Sequence, residues 1–146
     1  MQNKQRVKRV QLKINQINDF LLLGIVTSEP DYKLCLTLNK KFQISLKNIS
    51  PVELTDGKQS VFTFSRFSYT NSSSGLIFNF ISNRSGKHFL LKKLKNIDYI
   101  FQVHDSENIN NINRITDSLR EIESVNAVFN IDTSTFNDKN LQYLTL

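Results

Sequence analysis

The side chains able to do acid–base, nucleophilic or metal chemistry are few. They are His88, His104, Cys35 and Asp98, an aspartate set inside a strand-like run. The histidines are 16 residues apart, and no Cys/His group stands at zinc spacing. Asp98 and His104 fall on one face of an alternating segment, but about 20 Å apart along a strand, too far for an acid–base pair. Cys35 has no candidate base near it in sequence and reads as a small buried apolar residue. Ser72-Ser73-Ser74-Gly75 lacks the repeated glycines, the lysine and the following helix of a phosphate-binding loop. No catalytic constellation, cofactor or metal site is therefore expected. The chain reads as a non-enzymatic binding or adaptor module.

The stretch that must position any functional surface runs from Gly86 to His104. In its second half Ile97, Tyr99, Phe101 and Val103 alternate with Asp98, Ile100, Gln102 and His104, the period of a strand with one buried face. Asp98 reads as a polar anchor. It either faces water or, if buried, needs a cation, which Lys92, Lys93 or Lys95 can supply only if the chain bends back. Arg84, Lys87, Lys92, Lys93 and Lys95 lie near aromatic strands, and no acid occurs between Asp56 and Asp98. Such a segment suits RNA or a ribonucleoprotein, with aromatics stacking on bases and cations meeting phosphates. Against that stands a simpler role for Phe62, Phe64, Phe78, Phe80, Phe89 and Phe101, which are what a core requires.

Stepping outward, Val10, Leu12 and Ile14 mark a half-buried strand with a basic outer face, starting near Arg9. Phe20–Val26 is an apolar run compatible with a buried strand or the start of a helix. Ser28, Pro30 and Asp31 open a helix through Lys41, with Leu34, Cys35 and Leu38 as its buried stripe, widened by Tyr32 and Leu36 and closed by Phe42. Residues 42–46 read as a short strand, and 50–58 as a turn-rich connection. Ser60–Tyr69 and Leu76–Ile81 form a hairpin with a long loop, and a phase slip at Ser65-Arg66 predicts a bulge or bend. Ile109, Ile112, Ile115, Leu119 and Ile122 mark a second helix, near 107–123, and residues 125–132 alternate as a last strand. The expectation is α+β: a mainly antiparallel sheet with about two helices packed on one face, and with Phe101 and Phe129 buried alongside the second helix's isoleucines and leucine.

At 146 residues the chain fits one domain, 1–146, with residues 1–5 frayed and a tail at 133–146. Leu141, Tyr143, Leu144 and Leu146 in that tail either dock on the body or contact a partner, another protein or a second copy. The longest apolar run, seven residues, is far below the roughly 20 that a helix needs to cross a bilayer. One cysteine, no membrane segment and no good signal sequence make the expected compartment the cytoplasm. The net charge of +6 is unevenly spread: residues 1–97 carry +11 and residues 98–146 carry −5. That asymmetry makes a basic face for an acidic partner, unless the two halves neutralise each other in the fold.

Leu91-Lys-Lys-Leu-Lys-Asn-Ile-Asp-Tyr99 resembles the motif of an uncharacterised bacterial family, known from Bacteroidota and named for Ile-Pro-Glu-x-x-x-Val-Asp-Tyr. FLLLGIVTS at 20–28, DYKLCLTLNK at 31–40, FISN at 80–83 and AVFNID at 127–132 extend the resemblance over most of the chain. Ile97, Asp98 and Tyr99 keep the second half of the motif with one Val-to-Ile change. Leu91, Lys92 and Lys93 replace its Ile-Pro-Glu, so the proline is lost and the charge reversed. A packing role for the motif follows more easily than a chemical one. The resemblance implies a cytoplasmic protein and brings no activity, cofactor or site residues.

Overall fold

A computed structural model describes residues 20–105, 112–132, 134 and 138–144. The strand expected from Arg9, residues 1–5, Ile109 and Leu146 lie outside the described residues. The elements in order are β1 (Phe20–Thr27), α1 (Asp31–Phe42), β2 (Lys47–Thr55), β3 (Val61–Asn71), β4 (Leu76–Ser82), β5 (Arg84–Ser85), β6 (His88–Phe89), β7 (Tyr99–Asp105), α2 (Ile112–Arg120) and β8 (Val125–Asn130). A short 3-10 helix, Lys139–Tyr143, follows. Six strands make one sheet in the order β2-β3-β4-β7-β1-β8, antiparallel at every pairing, and β5 and β6 form a separate two-stranded ribbon.

The apolar run at Phe20–Val26 becomes a strand because it lies between two partners, β7 and β8, with side chains buried on both faces. The same holds for β7. Tyr99, Phe101 and Val103 enter one core, while Ile100 and Gln102 are buried on the other side. The sheet thus has two cores. The first gathers Leu23, Ile25, Phe78, Phe80 and Phe101 with Leu34, Leu38, Ile115 and Leu119; the second gathers Leu22, Phe64, Ile81 and Ile100 with Leu90, Leu91, Ile97 and Leu144. Each of those last four covering side chains, once buried, contributes about 1.5–3 kcal/mol of apolar transfer. That is enough to hold an irregular segment against the second face.

This corrects the expected α+β layout. Strands hold 45% of the described residues against 23% in helices, and the two helices are short and form no layer packed on one face. The physical reason lies in their stripes. Helix α1 buries only Leu34, Cys35 and Leu38, while Tyr32 and Leu36, expected to widen the stripe, are 62% and 63% exposed. α1 also starts later than Ser28, with Pro30 as its N-cap, and Phe42 is its last residue rather than the start of a strand.

Three further expectations are adjusted. Phe129 is 46% exposed, because among the described residues β8 is an edge strand and no element covers that side chain. Ile115, Leu119, Ile122 and Phe101 are buried as expected. Residues 50–55 belong to β2, leaving only 56–58 of the expected connection in the turn, and Pro51 is tolerated there because β2 is an edge among the described residues. The irregularity read at Ser65-Arg66 lies across the ladder, between Ile49 and Val52 on β2, where Arg66 Nε donates to the Ser50 carbonyl. β3 itself runs unbroken, sending Phe64 to one core and Phe67 to the other.

Candidate functional site

The sequence between Arg84 and Asp98 is not a continuous strand. Gly86, at φ 59°, turns the β5–β6 ribbon, a backbone region that glycine enters without a Cβ clash. The chain then runs irregularly to β7, and Asn83 organises it. Its side chain is fully buried, with Nδ2 donating to the carbonyls of Leu94 (2.9 Å) and Ile97 (3.0 Å) and Oδ1 accepting from the Leu91 N–H (2.8 Å). Its own backbone bonds to the Asp98 carbonyl and the Leu90 N–H. One asparagine thereby replaces the ladder that this stretch lacks.

The motif residues complete the same node. Asp98 Oδ2 accepts from the Thr27 N–H at 3.0 Å, and its Oδ1 lies 3.1 Å from Arg84, whose guanidinium stands over the Phe89 ring. Asp98 is the polar anchor expected, but its cation is Arg84 and none of Lys92, Lys93 or Lys95. The β4–β7 register explains this: Ser82 pairs with Tyr99, so Arg84 leaves β4 beside Asp98. Ile97 fills the second core and abuts Gly24. The Tyr99 hydroxyl donates to the Glu29 carbonyl at 2.7 Å. Burial, reinforced by the Asp31, Asp98 and Glu29 carboxylates, pushes its pKa up to about 12. Burial, helped by Asp31, also pushes the Cys35 thiol up, which leaves it a poor nucleophile.

Lys87, Lys92, Lys93 and Lys95 are all exposed, and among the described residues none has an ion-pair partner within 4 Å. The two halves of the chain do neutralise each other at Lys41–Glu121 and Arg84–Asp98. The four lysines escape that pairing.

The tail docks. Asp138 caps the 3-10 helix, accepting from Asn140 N–H at 2.9 Å, and its other oxygen accepts from the Lys92 N–H at 3.3 Å. Asn140 Nδ2 donates to the Leu90 carbonyl at 2.7 Å, and Gln102 Nε2 donates to the Leu144 carbonyl. Leu144 is 1% exposed, with Leu141 and Tyr143 packed on the second core.

Docking creates a cleft of about 440 Å³. One wall is Glu53, Leu54, Thr55 and Asp56 of β2 and its turn, with Phe62 and Phe64 of β3. Another is His88, Phe89 and Lys92, and the third is Lys139, Asn140, Gln142 and Tyr143. The Phe62 and His88 rings stack with centroids 3.5 Å apart. Lys92 and Tyr143, singled out separately from the sequence, meet here, whereas Lys87, Lys93 and Lys95 are not among the lining residues. Phe62, His88, Lys139 and Asn140 were not legible as site residues. Their only signal is spatial, since three separated segments build the walls. Among the described residues no three His, Cys, Asp or Glu side chains group as a metal site, and no helix is long and apolar enough to cross a membrane. No family model, curated protein or solved structure matches the chain.

Proposed function

We propose that the protein is a non-enzymatic binding module of the cytoplasm whose ligand is single-stranded RNA, alone or within a ribonucleoprotein, held by the basic 84–95 segment. The observation that carries this is the set of exposed ammonium groups on Lys87, Lys92, Lys93 and Lys95, without an ion-pair partner among the described residues and mounted on a segment clamped by Asn83. Cations held on a fixed frame meet phosphates with little ordering cost. The groups with chemical potential serve the frame instead. Asp98 is taken by Thr27 and Arg84, the Tyr99 hydroxyl by Glu29, and Cys35 is buried.

A protein contact through Leu141, Tyr143 and Leu144, the other reading of the sequence, requires the tail to leave the second core, where Leu144 is buried. The RNA reading needs no such rearrangement. Membership of the Ile-Pro-Glu-x-x-x-Val-Asp-Tyr family belongs to the same proposal. The segments that resemble it, FISN, FLLLGIVTS and the Asp98-Tyr99 pair, are bonded to one another at the node. A pull-down of the full chain from native lysate, with and without nuclease and at two salt concentrations, tests the function. RNA that co-purifies and is lost at high salt is the expected result. Recovery of the same protein partners after nuclease and at high salt would overturn it.

A further inference from the structure

We infer that the cleft beside the basic segment seats one nucleotide, with the base against the Phe62–His88 pair and the phosphate between Lys92 and Lys139. This rests on the RNA reading and names where a strand would be gripped. The cleft volume, about 440 Å³, lies within the roughly 300–1,000 Å³ of small-ligand sites. Its floor is aromatic, and stacking of a base on an aromatic side chain tolerates any base because each has a π-face. Lys92 and Lys139 are exposed on two different walls, so both ammonium groups can approach one phosphate.

Asn140 also lines the cleft, with its Nδ2 tied to the Leu90 carbonyl, so its amide is held in place beside a bound base. Glu53 and Asp56 on the β2 wall set the direction of the ligand. Their carboxylates repel a phosphate and accept from sugar hydroxyls, so the phosphate is driven to the lysine side and the 2′-hydroxyl, which marks RNA, toward β2.

The test is calorimetric titration of the full chain with adenosine monophosphate, adenosine, inorganic phosphate and a short unstructured single-stranded RNA. The expected result is saturable binding of the monophosphate, about tenfold or more tighter than of either adenosine or phosphate alone. His88→Ala should weaken it about tenfold through lost stacking, and Lys139→Gln about tenfold through a lost charged contact. Both side chains are exposed, so the melting temperature should not move. Lys87→Gln/Lys93→Gln/Lys95→Gln should leave monophosphate binding intact while weakening RNA. Monophosphate binding no tighter than phosphate, or unaffected by both cleft variants, overturns the inference. If RNA still binds in that case and weakens in the triple-lysine variant, the basic-segment reading survives and only the cleft assignment falls. If the monophosphate binds and RNA does not, the cleft is a free-nucleotide site and the RNA reading falls instead.

Discussion

Asn83 shows how much of the architecture one polar side chain can carry. It lies between the end of β4 and the ribbon, and its amide satisfies two carbonyls and one N–H of a segment with no ladder partner. Asn83→Ala leaves the Ile97 carbonyl and the Leu91 N–H without partners, while the Leu94 carbonyl keeps the Ile97 N–H, and at about 1–3 kcal/mol for each stranded group the loss should be about 2 kcal/mol or more. Chemical denaturation checks it, and a change below about 1 kcal/mol would mean that water replaces the amide. Tyr99 makes a second prediction, in pH. Its folded pKa is raised from 10.0 to about 12, so the folded protein holds the phenolic proton more tightly than the unfolded chain does. The resulting stability is whole below pH 10 and is lost as pH rises toward about 12. Tyr99→Phe should cost about 1 kcal/mol at neutral pH through the lost bond to Glu29 and should flatten the alkaline decline. An unchanged alkaline decline in the variant would show that other groups cause it.

Strand β1 and the segment that leads into β7 meet in a close approach that suits glycine at position 24. A Cβ on Gly24 would stand 2.5 Å from Ile97 Cδ1 and 3.1 Å from two further atoms of that side chain. Ile97 is itself buried against Leu90, Leu91 and Ile100, so it cannot swing away freely. Gly24→Ala should therefore destabilise by about 1–3 kcal/mol as an overpacked site, read from the melting temperature, and a stabilised variant would show that Ile97 has room to move. The elements were legible where their periodicity was confined to one face. The β3–β4 hairpin, the stripe of α1 and the apolar residues of α2 come directly from spacing. What was not legible was the second core. Sequence alternation finds one buried face, but β7 is buried on both, and its other face is covered by irregular chain with no period at all. The same blindness made residues 84–98 look like a prelude to a strand, when Asn83 and Gly86 fold them into a separate clamp.

At the scale of the molecule, the charge asymmetry resolves into pairing at some points and exposure at others. Arg84 and Lys41 are consumed by acids from the second half, while Lys87, Lys92, Lys93 and Lys95 are exposed with no ion-pair partner among the described residues. The sequence showed the lysines and the tail as separate candidates. It could not show that the docked tail and the basic segment share a cleft, because that juxtaposition depends on Asp138 and Asn140 bonding to Lys92 and Leu90. The most direct test of the binding surface is the salt dependence of affinity for an unstructured single-stranded RNA, measured on the full chain and on a variant with all four lysines changed to Gln. If each lysine neutralises one phosphate, the slope of log affinity against log salt should be about −0.7 per contact, and the variant should flatten it by about three units with its melting temperature unchanged. Equal slopes for the two proteins would contradict the assignment of this surface.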